Sequence, residues 1–110
     1  MKRAWTLWSI YIRKKGADER GINTCYTCGR RYHWKALNAG HYRHDSHDFD
    51  ERNVKAQCVH CNLGESGRAD QFYLHLVKDY GVEIADQLRL RKKWNDYSIH
   101  ELEEIIKKYK

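Results

Sequence analysis

Apolar residues recur near the start of the chain at helical spacing. Trp5, Trp8 and Ile12 share one face, Leu7, Ile10 and Tyr11 widen it, and Arg3, Arg13, Lys14 and Lys15 occupy the other positions. That stripe predicts a helix over residues 3–15, and Gly16 and Gly21 punctuate its exit. Residues 32–43 mix aromatic and small side chains without a helical period. With residues 53–57 they predict two short strands of a hairpin, joined by a loop over residues 43–52 that is too polar to be core. Beyond it, Phe72, Leu76 and Tyr80 predict a helix over 68–80 that stops at Gly81. Ile84, Leu88 and Trp94 predict another over 82–94, where the cations of residues 89–93 suit the negative end of a helix dipole. Ser98 and Glu101 form a capping-box pattern for a last helix, with Tyr97 and Leu102 placed to make its hydrophobic staple. Trp5, Trp8, Phe72 and Trp94 are expected in the core.

The four cysteines fall in two C-x-x-C pairs, Cys25/Cys28 and Cys58/Cys61, with 29 residues between the pairs. Two thiolates at that spacing can chelate one ion from a tight knuckle, and two knuckles complete a tetrahedral zinc site. Gly29, directly after the first pair, permits the turn. Disulfides fit poorly, because the N-terminus lacks the apolar core of an export signal and reducing compartments keep thiols free. A redox C-x-x-C needs only one pair.

At 110 residues and 13.3 kDa, one domain is expected over 1–110. It comprises a basic helical segment (1–20), a zinc-stapled centre (21–67) and C-terminal helices (68–110). A core of that size gains from a metal staple. No stretch is apolar enough to cross a bilayer, and mean hydropathy is −0.95, so a cytoplasmic location with no membrane partner is expected. The net charge of +6 is uneven. Residues 1–35 carry nine basic and two acidic side chains, residues 36–53 two and four, and residues 54–110 ten and nine. A basic first third beside an acidic, histidine-rich segment suggests a polyanion-binding surface next to a metal-attracting pocket. Lys14, Lys15, Arg30, Arg31, Arg43 and Arg68 are the candidate phosphate contacts, each of which alone also fits a solvated surface.

The candidate chemistry lies between the knuckles. Ala39-Gly40-His41-Tyr42 ends the first predicted strand, Phe49-Asp50-Glu51-Arg52-Asn53 leads into the second, and Asn62 follows Cys61. A strand histidine, an asparagine on the returning strand and an oxygen ligand at the next helix resemble the HNH, or ββα-metal, endonucleases in the version with Asn at the third position. Together with Tyr11-Ile12-Arg13, the Cys-x-Thr-Cys-Gly stretch at 25–29 and Gln57-Cys58-x-x-Cys61-Asn62, the pattern is similar to the NinG (Rap) family of phage recombination proteins. The likeness runs from about Trp5 to Tyr80 and more loosely beyond. The loop from His41 to Phe49 is shorter than that family's.

The resemblance implies an α+β fold with a small zinc-stapled ββα-metal, treble-clef-like core, an N-terminal helix and C-terminal helices. It also implies metal-dependent cleavage of branched DNA such as Holliday junctions and D-loops, leaving 5′-phosphate and 3′-hydroxyl ends. His41 would act as the base, since an imidazole exchanges protons near neutral pH. Asn53 would order the loop and the base, and Asn62 would offer a carbonyl oxygen to Mg²⁺ or Mn²⁺. Many such enzymes place an Asp immediately before the base as a second metal ligand, where this chain has Gly40. Two readings stay open: a largely hydrated ion held by Asn62, or a ligand from the loop (His44, Asp45, His47 or Asp50). Asp50 also has a structural reading, paired with Arg52 or Arg43. Resolving a four-way junction takes two cuts, so a homodimer is expected by analogy, as are phage recombination proteins as partners. The competing class is a non-catalytic zinc module that binds DNA and assists recombination.

Overall fold

The computed structural model describes residues 2–43, 47–90 and 98–110. Helix α1 (Lys2–Lys14) leads to a small antiparallel hairpin, β1 (Ile22–Thr24) with β2 (Arg31–His33). A single 3-10 turn (Trp34–Ala36) then feeds a second hairpin, β3 (Leu37–His41) with β4 (Val54–Cys58), in the register Leu37↔Cys58 to His41↔Val54. A π-helical turn (His60–Gly64) follows, and then helices α2 (Ala69–Tyr80), α3 (Val82–Arg89) and α4 (Ile99–Tyr109). The fold is therefore α+β, as expected.

The order of elements follows the predicted one, with differences of detail. The three-residue strands β1 and β2 are too short for any alternation to register in the sequence. Helix α3 ends at Arg89, with extended backbone at Leu90, and the rest of its predicted span, residues 91–94, lies outside the described residues. The expected core role of Trp94, the cations at 91–93 and the staple residue Tyr97 lie outside the described residues. The capping box is present: Ser98 Oγ accepts from the Glu101 amide, and the Glu101 carboxylate accepts from the Ser98 amide.

Three apolar clusters hold these pieces. Trp8 and Ile12 of α1 pack on Val54 of β4, and Tyr109 closes the far side against Trp8 and Tyr11. The strand face carrying Leu37, Ala56 and Cys58 packs against Cys25 and Cys61. Tyr42, at the end of β3, packs against Phe72 and Leu76 of α2 and Ala85 and Leu88 of α3. The β3–β4 hairpin and its loop thus contribute to every cluster, which fixes the outer end between α1 and the α2–α3 pair. Among the described residues, no helix is long and apolar enough to cross a membrane.

Candidate metal centre and hairpin-end site

The first knuckle is shaped by its backbone. The Gly29 amide bonds the Cys25 carbonyl at 3.0 Å and the Cys25 amide bonds the Arg30 carbonyl at 2.8 Å. Gly29 sits at φ +79°, a conformation that disfavours a side chain. The Tyr26 amide bonds the Ala56 carbonyl at 2.8 Å, which docks this knuckle on β4. β4 delivers Cys58 at its end and the π-helical turn delivers Cys61, whose amide lies 3.4 Å from the Cys58 sulfur.

As a result the ligand atoms of Cys25, Cys28, Cys58 and Cys61 all lie within 4.8 Å of one another, with Cys28 and Cys58 Sγ at 3.7 Å. Tetrahedral zinc with Zn–S bonds of about 2.3 Å requires S···S separations of about 3.8 Å, so the donor set fits such an ion. Burial would raise the Cys25 thiol, but hydrogen bonds from Thr27 and from the Cys58, Cys28 and Thr27 amides outweigh it and hold the group at about 6. Burial and the neighbouring thiols push Cys28 up to about 12. Four thiols crowded together compete for charge, and a cation among them relieves that competition. The four cysteines can hold a metal such as zinc.

His41 is the last residue of β3. Its ring stacks on Trp5 of α1 with centroids 4.8 Å apart and planes inclined by 9°. Asp48 Oδ1 lies 2.9 Å from His41 Nε2, and the two side chains are 18% and 15% exposed. Sequence reasoning missed both neighbours. Trp5 was expected in the core, and it is half-buried with one face on the imidazole. Asp48 gave only the signal of being one more acid in a loop whose register nothing in the sequence sets.

Asn53, fully buried, clamps that loop. Its Oδ1 accepts from the Arg43 amide at 2.8 Å, and its Nδ2 donates to the carbonyls of Arg43 (3.1 Å) and His47 (3.3 Å). Its place is under the loop that brings Asp48 to His41. Of the loop residues considered as metal ligands, Asp50 is engaged by Arg52 at 2.8 Å. Burial would raise the Asp50 carboxyl, but the Arg52 guanidinium and amide hold it below its ordinary value. His47 Nε2 is 3.4 Å from the Leu90 carbonyl. His44 and Asp45 lie outside the described residues.

Asn62 sits in the π-helical turn, and its Oδ1 lies 3.1 Å from where a β-carbon on Gly40 would stand. Gln57 Oε1 lies only 1.8 Å from that point, which is why position 40 has no side chain. Gly40 and His41 are successive strand residues, so their side-chain directions diverge. The Asn62 amide therefore lies beside the residue that precedes His41 at the end of β3.

The candidate phosphate contacts are more dispersed. Lys14 is exposed, and with Arg13 and Lys35 it gathers around Trp34, the three cations lying 5.3–5.8 Å from the indole. Lys15 pairs with Glu51 at 2.9 Å. Arg31 bonds Thr24 and pairs with Asp18, whereas Arg30 is exposed on the knuckle. Arg43 and Arg68 are half-buried near the hairpin end and before α2.

The fold and its centre define a small α+β protein built around four clustered thiols. The chain belongs to the NinG family: the model described as Bacteriophage Lambda NinG protein matches residues 1–110. It is 30% identical to Protein ninG of Escherichia phage 933W, over 99% of this chain and 54% of that protein. To Protein ninG of Escherichia phage lambda it is 29% identical, over 99% and 53%, and to that of Enterobacteria phage H19B 33%, over 96% and 52%. The chain thus spans about half the length of these curated relatives. No solved structure matches it.

Proposed function

We propose that this chain is a metal-dependent, structure-selective DNA endonuclease of the HNH, ββα-metal type, acting on branched recombination intermediates such as Holliday junctions and D-loops. The observation that carries the reading is the gathering of groups at one strand end: His41 with Asp48 2.9 Å from its Nε2, and the Asn62 amide oxygen beside the preceding residue, Gly40. Zinc on the four cysteines is scaffold.

The residues divide the chemistry as follows. Asp48, 2.9 Å from His41 Nε2, steadies the imidazole, which takes a proton from the attacking water. Trp5 holds the ring in plane, and Asn53 holds the loop that carries Asp48. Asn62 holds a divalent ion, Mg²⁺ or Mn²⁺, which when bound supplies positive charge for the scissile phosphate and the leaving oxygen. Lys14, Arg30 and the cations around Trp34 offer a surface for flanking phosphates. A second copy of the chain would supply the second cut of a four-way junction.

The test is incubation of the zinc-loaded protein with four-way, flap and linear duplex DNA, with and without Mg²⁺ or Mn²⁺. Cleavage of the branched substrates only when the ion is added is the expected result. Binding without cleavage under every condition would replace this reading with that of a non-catalytic DNA-binding module. Equal cleavage of linear duplex would remove the selectivity.

A further inference from the structure

Gln57 is wholly buried, and its amide is used on one side only. Nε2 donates to Thr27 Oγ1 at 3.0 Å and to the Gly67 carbonyl at 2.9 Å. A carbonyl can only accept, so the second bond settles which end of the amide is nitrogen. Oε1 consequently points the other way, toward β3. There it is buried and accepts a hydrogen bond from none of the described residues.

Its surroundings are specific. Gln57 Oε1 and Asn62 Oδ1 both lie within 3.1 Å of one point, the place a β-carbon on Gly40 would occupy. The two carboxamide oxygens are therefore neighbours, no more than 4.9 Å apart, beside the residue immediately before His41 in the chain. Both present the negative ends of their dipoles there. A buried carbonyl left without a donor bears the full cost of its lost hydration. A hard divalent cation relieves it, because such ions take neutral amide and carbonyl oxygens and keep water in the remaining positions.

We propose that Gln57 Oε1 is, with Asn62 Oδ1, a protein ligand of the divalent ion, supplied from β4. This rests on the reading of Asn62 as holder of that ion. The hydrogen bonds from Gln57 to Thr27 and Gly67 then orient the ligand, as outer partners do in metal sites generally. Thr27 lies between Cys25 and Cys28, so the same side chain joins the divalent site to the thiol cluster.

The experiment measures metal binding without DNA or turnover. Free Mn²⁺ is followed by electron paramagnetic resonance during titration of the zinc-loaded protein and its Asn62→Ala and Gln57→Met variants. Amide spectra and zinc content check that each is folded. Each substitution is expected to weaken Mn²⁺ binding by about tenfold or more. Wild-type affinity in Gln57→Met, with weakened binding in Asn62→Ala, overturns the inference and leaves the Asn62 reading standing. Unchanged affinity in Asn62→Ala, or no Mn²⁺ binding by the wild type, overturns both. Should Gln57→Met fail to fold, the unsubstituted protein decides. On saturation with Mg²⁺ the side-chain carbonyl ¹³C resonances of Gln57 and Asn62 must both move, and movement of Asn62 alone is the contradicting result.

Discussion

At the scale of single residues, position 40 shows how one missing side chain organises the site. The Gln57 amide fills the volume a β-carbon would need, and it is pinned there by Thr27 and Gly67. Moving it would break both bonds inside the core. Gly40→Ala is therefore expected to cost about 1–3 kcal/mol, the range of overpacking a filled interior, as read from urea unfolding of the zinc-loaded protein. Stability equal to wild type would mean that Gln57 gives way freely. Much of this neighbourhood was legible beforehand. The family resemblance singled out His41, Asn53 and Asn62, and the Asn53 amide bonds the loop backbone at Arg43 and His47. Asp48 and Trp5 did not stand out. An amphipathic stripe says which face of α1 is buried and not which ring lies over the hairpin end, and the polar loop carries no periodicity to register Asp48 against His41.

At the scale of elements, α1 is tied to the loop before β4 through one carboxylate. Glu51 accepts from the Tyr11 hydroxyl and pairs with Lys15 at 2.9 Å. The Tyr11 hydrogen bond foremost, then Lys15, holds its carboxyl below the ordinary value. A carboxyl depressed on folding adds stability above its unfolded pKa, and that contribution disappears as pH falls through the folded value. Wild type should therefore melt above Glu51→Gln at about pH 6, with the difference shrinking as pH falls below the ordinary carboxyl range. A difference that persists in acid would mean that the tie is not electrostatic. The pairing also explains why a lysine chosen from sequence as a phosphate contact is committed elsewhere. Charge runs reveal surface sign, while a partner 36 positions away stays hidden until the fold joins them. The strands β1 and β2 were hidden for another reason: three residues each leave no room for a period-two pattern.

At the scale of the whole molecule, the apolar residues form three small clusters instead of one large core. The thiol cluster lies within one of them, and the knuckles join β1, β4 and the turn leading to α2. A metal such as zinc held by those thiols would therefore account for much of the folding free energy, as in other small metal-stapled domains. The spacing of the cysteines made this legible, because a repeated short chelate needs no knowledge of the intervening chain. Stripping zinc with a strong chelator is expected to abolish the native circular dichroism and near-ultraviolet signal, with recovery on adding one equivalent. A chain that keeps its spectrum without metal would show that the clusters suffice.

The nuclease reading stands or falls on the imidazole at the end of β3. Single-turnover cleavage of a four-way junction in Mg²⁺, with wild type and His41→Ala at saturating protein, isolates it from binding. The expected result is a loss of about 10²–10⁴-fold in rate, with junction affinity and zinc content unchanged. Cleavage by His41→Ala at the wild-type rate would contradict the account.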